Sequence, residues 1–343
     1  MASRRYGGPM RVAVVGAGSW GTAVAAMTVA TAETHLWARR EELAARINSA
    51  GANEAYLPGI PLPGDLQTTS DLGEAVAGAD VVIMAVPSHG FRAVIEQARP
   101  FIDADTPVIS LVKGVETGTL LRMTEVAAEV LDTDPSRVGV LTGPNLAREI
   151  ALGQPAAAVI GMRDLTTATE LQHLLMSPTF RVYTNPDVVG CEAAGALKNV
   201  MAIAAGMAHG LGFGDNSKAA LVTRALAELT RLGIALGGQP LTFAGLAGMG
   251  DLVATCFSEQ SRNRRVGVEL GRGHSLEQIV SEMHMVAEGV KSTEAVLALA
   301  RRHDIEMPIA AMVGAVLYEG RRPADLVMGL MTREAKPELH GIG

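Results

Sequence analysis

The chain of 343 residues carries 36 acidic against 29 basic side chains, a net charge of −7, which excludes nucleic acid or an anionic membrane surface as its main partner. With 48% apolar residues and a mean hydropathy of +0.23 there is material for large buried cores, and the length suggests about two domains. The 2 cysteines and 8 histidines show no C-x-x-C or H-E-x-x-H spacing, which fits a reducing cytoplasm and no metal site.

Residues 1–9 read as a disordered tail. Ser3-Arg4-Arg5, followed by an Ala-rich apolar stretch to Ala32, imitates a twin-arginine export signal. The glycine pattern inside that stretch argues against export and for a cytoplasmic protein. No window reaches the roughly 18 uninterrupted, strongly apolar residues of a membrane span, so no transmembrane helix is expected.

The stretch Met10–Gly21, MRVAVVGAGSWG, organises the N-terminal half of the chain. Arg11–Val15 predicts a strand, Gly16-Ala17-Gly18-Ser19-Trp20-Gly21 a tight turn, and the small residues Thr22–Ala32 a helix. In a dinucleotide fold the first glycine makes the turn, the second lets the backbone approach a pyrophosphate, and the third lets helix and strand pack closely. The pyrophosphate then rests on free N–H groups at the helix N-terminus. Glycine supplies 38 of the 343 residues, so chance alone yields a G-x-G-x-x-G roughly 0.5 times in such a chain. Its place at a strand-to-helix junction therefore carries the reading for Gly16, Gly18 and Gly21.

Thr34–Trp37 predicts a second strand and Glu41–Asn48 a helix. The end of that strand faces the adenosine ribose in such folds, where an acid selects NAD and an arginine accommodates a 2′-phosphate. Arg39-Arg40 stand there, and the nearby acid, Glu33, precedes the strand, so NADPH is expected to be accepted. Further strands are predicted at Asp80–Val86, Pro107–Val112, Val138–Leu141, Ala156–Met162 and Phe180–Tyr183, with helices Gly90–Ala98, Leu120–Leu131 and Leu165–Met176 among them. This alternation predicts an α/β fold, a Rossmann-type doubly wound sheet over residues 10–189. Gly16, Pro87, Lys113 and Gly143 fall at strand ends, where such sheets bind ligands. After Pro186 the strand pattern stops. Gly190–Met207 and Ser217–Leu236 read as helical, Ser275-x-x-Gln278 resembles a capping box, and Pro308 and Pro323 open helices ending near Tyr318 and Met331. Residues 190–343 are expected to form an all-helical domain.

Lys198 lies in GALKNVM, a helix with scarcely another charge. Such a lysine is dehydrated, which suits it to exchange a proton with a substrate oxygen, although a lysine that snorkels to the surface satisfies the same pattern. Asp251, in GMGDL with Thr255 one turn on, is by itself equally a helix N-cap. Arg262-Asn263-Arg264-Arg265 come after Ser261 at a predicted helix start, a cradle for phosphate unless the run is a solvated face.

In this order and spacing GAGSWG, VPSH, LVKGVE, TGPN, GALKNV, GLAGMGDL, SRNRRVG and VAEGVKST resemble the bacterial NAD(P)-dependent sn-glycerol-3-phosphate dehydrogenases, from about Arg11 to beyond Ile309. The resemblance implies a Rossmann domain joined to a helical domain of the 6-phosphogluconate-dehydrogenase type. It implies interconversion of dihydroxyacetone phosphate and sn-glycerol 3-phosphate with NADP or NAD, feeding glycerophospholipid synthesis. Lys198 would be the proton donor and acceptor, with Lys113, Asn199, Asp251 and Thr255 around the reacting carbons. Gly143, Ser261, Arg262 and Asn263 match substrate-contacting positions, Arg262 and Asn263 foremost for phosphate. Ser19, Trp20, Arg39, Arg40, Lys113, Ala147, Arg262, Val286 and Glu288 match cofactor positions, and Phe91 lies either near the cofactor or in the core. The implied partner is a small phosphorylated substrate, with no nucleic acid, no stable membrane insertion and a homodimer as an allowed assembly. Two rivals remain: another two-domain NADP-dependent hydroxy-acid dehydrogenase, which leaves the Arg262-Asn263 cradle idle, and a non-catalytic NADP(H)-sensing protein, which needs neither Lys198 nor Asp251.

Overall fold

The computed structural model describes residues 10–283, 287–335, 337–338 and 341; the tail 1–9 lies outside them. The chain divides into two compact units: the residues through Lys113 together with Leu121–Val188, and Gly114–Leu120 together with the residues from Val189 onward.

The first unit is built on β1 (Arg11–Val15), β2 (Glu33–Trp37), β3 (Gln67–Thr69), β4 (Val81–Met84), β5 (Val108–Ser110), β6 (Val138–Thr142), β7 (Ala156–Gly161) and β8 (Phe180–Asn185). They form one sheet in the order β3-β2-β1-β4-β5-β6-β7-β8. Its helices are α1 (Ser19–Thr28), α2 (Glu41–Ala50), α3 (Leu72–Val76), α4 (Phe91–Ala98), α5 (Met123–Leu131), α6 (Ala147–Ala151) and α7 (Leu165–Leu175). Central strands are apolar throughout because both faces are covered. Val12, Val14 and Ile83 belong to one buried cluster with Val24, Leu171 and Leu174. Ala13, Val15, Val82 and Met84 belong to the other, with Phe91, Ile95, Met123 and Val126. Phe91 is thus a fully buried core residue.

Three details depart from the sequence pattern. β3 reads Gln-Thr-Thr at the sheet edge, too short and polar to signal a strand. Glu33 is the first residue of β2 rather than preceding it, and its carboxylate meets His35 Nε2 at 2.8 Å. β6 and β7 pair antiparallel, whereas the other neighbours run parallel. The β6–β7 connection carries only the 5-residue α6, too little helix to cross back along the sheet, so the next strand returns in the opposite direction.

The second unit is helical: α8 (Val188–Gly210), α9 (Asp215–Ala235), α10 (Pro240–Ala244), α11 (Asp251–Phe257), α12 (Arg262–Gly271), α13 (Leu276–Glu282), α14 (Glu288–Arg302), α15 (Pro308–Glu319) and α16 (Pro323–Met331). The Ser275–Gln278 capping box forms, with Ser275 Oγ accepting from Gln278 N and Gln278 Oε1 from Ser275 N. Among the described residues α8 is the one helix long and apolar enough to cross a membrane, although the sequence predicts no such helix. Its most apolar window is 94% buried within the fold, because alanine and glycine make it apolar while keeping it narrow. That narrowness seats α12. A Cβ on Gly206 would lie 2.1 Å from Arg264 O, and one on Gly267 would lie 2.0 Å from Ile203 O. Glycines on both helices let the backbones touch, which holds the start of α12 beside the lysine-bearing stretch of α8.

Candidate active site

The three glycines of the first turn do separate work. Gly16 has φ +125°, and a Cβ there would lie 2.7 Å from Ala85 O, so only glycine makes this turn. A Cβ on Gly21 would lie 2.0 Å from Gly16 O, which fixes how closely α1 approaches β1. At Gly18 a Cβ would meet nothing within 4 Å. The space before the α1 N-terminus is open, as a pyrophosphate approaching that backbone requires.

A neighbouring loop clamps this turn. Asn53 is fully buried; its Nδ2 donates to Ala17 O at 3.0 Å and to Thr22 Oγ1 at 2.8 Å. Ser19 Oγ donates to Tyr56 O at 2.6 Å, and Arg40 Nη2 reaches Tyr56 Oη at 3.4 Å. Arg39 is exposed and has no ion-pair partner among the described residues. Trp20 Nε1 is buried without a hydrogen-bond partner, and its ring stands 6.3 Å from that of Phe180. Ala147 opens α6 and packs against Ala23, Leu57 and Ile60. Asn53 and Tyr56 escaped the sequence reading, since isolated side chains in an aperiodic loop carry no pattern.

Farther along the same sheet edge Lys113 Nζ donates to Gly143 O at 2.9 Å, bringing the segments after β5 and β6 together. Gly143 also has φ +125°. Just beyond it both amide atoms of Asn145 are buried without a hydrogen-bond partner, as is Thr142 Oγ1. Unpaired buried polar groups of this kind are costly unless a ligand or water answers them. Asn145 stands in the TGPN block, which was the available signal for it.

In the helical unit Lys198 is buried, not snorkelling, with 5% of its surface exposed. Its Nζ lies 2.7 Å from Asp251 Oδ1 and donates to Thr255 Oγ1. Thr255 in turn donates to Asp251 O at 2.7 Å. The third ammonium hydrogen meets no acceptor among the described residues. Asp251 is not an N-cap: Gly250 holds that position. The chain reaches it through a π-turn, Leu246–Gly250, whose wider winding is accommodated by Gly248; a Cβ there would lie 2.1 Å from Phe243 O. Asp251 and Thr255, one turn apart, then face Lys198 together. Burial pushes the neighbouring Cys256 thiol up to about 12, so it stays protonated and is no competing nucleophile.

At the start of α12, Ser261 is the N-cap, its Oγ accepting from Arg264 N at 3.2 Å. The first backbone N–H groups of the helix, on Arg262 and Asn263, have no intrahelical acceptor by geometry. Arg262 is exposed and has no partner among the described residues, so its guanidinium and these N–H groups are donors that an anion could use. Asn263 differs from the expectation of a phosphate holder in that its amide turns inward: Nδ2 donates to Asn199 Oδ1 at 2.9 Å and Oδ1 accepts from Gly289 N at 2.9 Å. Glu288 is the first residue of α14. Val286 lies outside the described residues.

A mainly parallel sheet whose glycine turn leaves room for a dinucleotide, with a helical unit that buries a paired lysine, defines an NAD(P)-dependent dehydrogenase acting on a CH–OH group. Comparison with known proteins narrows the class. The family model described as NAD-dependent glycerol-3-phosphate dehydrogenase N-terminus matches residues 11–168, and its C-terminus counterpart matches residues 187–328. The chain belongs to the NAD-dependent glycerol-3-phosphate dehydrogenase family. It is 55% identical over 331 residues to glycerol-3-phosphate dehydrogenase [NAD(P)+] 2 of Sphingopyxis alaskensis, covering 96% of this chain and 99% of the relative. To glycerol-3-phosphate dehydrogenase [NAD(P)+] of Thermobifida fusca it is 52% identical, with 97% and 99% covered. The crystal structure of glycerol-3-phosphate dehydrogenase from Coxiella burnetii superposes with a TM-score of 0.90 at 38% identity, covering 95% of this chain and 99% of that one.

Proposed function

We propose that this enzyme interconverts dihydroxyacetone phosphate and sn-glycerol 3-phosphate with NADPH or NADH, supplying the glycerol phosphate from which glycerophospholipids are built. The observation that carries the reading is the Lys198 ammonium. Asp251 and Thr255 hold two of its hydrogens, and the third is left for a substrate oxygen.

The nicotinamide nucleotide, when bound, supplies or accepts the hydride at C2 of the substrate. Gly16, Gly18, Ser19, Trp20 and Gly21 would hold its pyrophosphate end, Arg39 and Arg40 the adenosine ribose with or without its phosphate, and Lys113, Ala147, Arg262, Val286 and Glu288 its remainder. In the reducing direction Lys198 donates its free hydrogen to the carbonyl oxygen as negative charge develops there, giving the hydroxyl of the product. In the reverse direction neutral Lys198 takes that proton back. Asp251 keeps the lysine aimed and compensates its charge, and Thr255 fixes its second hydrogen. Asn199 and Lys113 would orient the carbons, Gly143 and Asn145 would meet substrate hydroxyls, and Arg262 with the α12 N-terminus, capped by Ser261, would take the phosphate. The same reading assigns residues 10–189 to nucleotide binding and 190–343 to substrate binding, puts the enzyme in the cytoplasm, where its two buried thiols stay reduced, and allows a homodimer.

The test is to compare dihydroxyacetone phosphate with dihydroxyacetone and a 2-keto acid as oxidants of NADPH. The phosphorylated ketone should be favoured by several orders of magnitude in kcat/KM. Equal or better use of the keto acid overturns the phosphate assignment, and no oxidation of the nucleotide despite its binding overturns the activity.

A further inference from the structure

Asn53 holds one peptide of the glycine turn in place. It is fully buried, and its Nδ2 donates both hydrogens, to Ala17 O at 3.0 Å and to Thr22 Oγ1 at 2.8 Å. A backbone carbonyl only accepts, so Ala17 O requires the NH₂ end of the amide. Oδ1 is left buried without a hydrogen-bond partner among the described residues, a costly arrangement that marks the Ala17 contact as the one the fold keeps. The Ala17–Gly18 peptide is trans and planar, which points its N–H opposite to its C=O. With the oxygen held against Asn53, the Gly18 N–H is turned away from that loop, and it meets no acceptor among the described residues. It stands next to the first N–H groups of α1, on Ser19 and Trp20, which have no intrahelical acceptor either. Gly18 O accepts from Thr22 N at 2.9 Å, so the second Asn53 hydrogen braces the residue that fixes the other side of Gly18. The loop is itself fixed, since Asn53 O accepts from Tyr56 N at 3.2 Å and from Leu57 N at 2.7 Å.

We infer that Asn53 is a positioning residue for the nucleotide: by fixing the Ala17–Gly18 peptide it presents the Gly18 N–H to the pyrophosphate, with the donor in place before the nucleotide arrives. The inference rests on the reading above that this turn holds the pyrophosphate. Asn53 needs no contact with the nucleotide for this role. A reversed peptide would instead direct the Ala17 oxygen toward the phosphates, setting two acceptors against each other where a charge-assisted hydrogen bond would otherwise form.

Calorimetric titration of the enzyme alone with NADP tests it, together with the crystal structure of the variant without nucleotide. Asn53→Asp keeps the shape of the side chain but removes its hydrogens, so that its carboxylate repels Ala17 O and accepts an N–H. The Ala17–Gly18 peptide should therefore turn over and give the Gly18 N–H to the carboxylate. The Kd for NADP should rise roughly 10-fold or more, the loss of one charge-assisted hydrogen bond. An unturned peptide, or a turned one that binds NADP as the wild type does, overturns the inference. Should Asn53→Asp lose its cooperative thermal transition, Asn53→Ala decides by the same two readouts, its freed peptide no longer held in the wild-type orientation. Gly18→Val separates the inference from the reading beneath it. Its side chain enters the space where an added Cβ meets nothing within 4 Å and should block the pyrophosphate. Wild-type affinity of Gly18→Val for NADP would remove the pyrophosphate from the turn altogether, whereas lost binding there beside normal binding by the Asn53 variants overturns the positioning alone.

Discussion

Lys198 Nζ stands 2.7 Å from Asp251 Oδ1 with the two side chains 7% and 2% exposed. Removing one partner of such a pair leaves the other charge buried and uncompensated, which typically costs about 3–5 kcal/mol. Asp251→Leu should therefore lower both turnover and stability. Lys198→Met combined with Asp251→Leu should recover most of the stability and none of the turnover. Urea unfolding beside the rate assay checks this, and a double variant as unstable as the two single losses summed would show that the residues do not act as a charge pair.

The glycine turn predicts opposite outcomes for two substitutions of the same kind. Gly18→Ala meets nothing within 4 Å, so the variant should melt close to the wild type while binding nucleotide more weakly. Gly21→Ala places a methyl 2.0 Å from Gly16 O and should lose several degrees in Tm whether or not nucleotide is present. Calorimetry of both variants with and without NADPH separates them; unimpaired nucleotide binding by Gly18→Ala would remove the pyrophosphate from that turn.

Arg39 is exposed at the end of β2. Arg39→Ala should raise KM for NADPH by roughly 10-fold, the loss of one charge-assisted contact, and leave KM for NADH nearly unchanged. Equal losses for the two nucleotides would contradict a role at the 2′-phosphate.

Much of this architecture was legible in the sequence, and the reasons are local. β1, β4 and the long helix α8 are runs whose apolar pattern matches their burial on all sides. The glycines at 18 and 21 answer to an opening and a contact within a few residues, and Gly16 to its positive φ and its closeness to Ala85 just past the neighbouring strand. Lys198 stood out because its helix carries scarcely another charge, Glu192 being more than one turn away. Its partnership with Asp251 was not legible, since it depends on a π-turn that no periodicity announces and on helices meeting from distant parts of the chain. The polar edge strand β3 and the Asn53 clamp were hidden for a related reason: short, aperiodic segments take their shape from neighbours. The direction of the Asn263 amide needed the Gly289 backbone, which only the folded chain brings to it.

Glu228 gives the fold its own pH dependence. It is buried in α9, and its carboxylate accepts from Ile309 N at 2.8 Å and from Ala310 N at 3.3 Å, at the start of α15. Burial pushes the carboxyl from 4.5 up to about 7, against the pull of those two donors. A carboxyl raised on folding holds its proton more tightly in the native state. Its contribution to stability is therefore complete below about pH 4.5 and lost as pH rises through about 7. Glu228→Gln stays neutral, so its unfolding free energy relative to wild type should increase by on the order of 2–3 kcal/mol between about pH 5 and 8. A difference that is flat with pH would mean that the two N–H donors keep the carboxylate charged throughout.

Lys198 is proposed to exchange the substrate proton in reduction of dihydroxyacetone phosphate. The most direct measurement is the loss of nicotinamide absorbance when NADPH and dihydroxyacetone phosphate are mixed with the wild type and with Lys198→Met, each first shown to bind NADPH. Steady oxidation by the wild type is expected, with a rate lower by roughly 10²–10⁴ in the variant at unchanged nucleotide affinity. A variant that turns over at near the wild-type rate would contradict it.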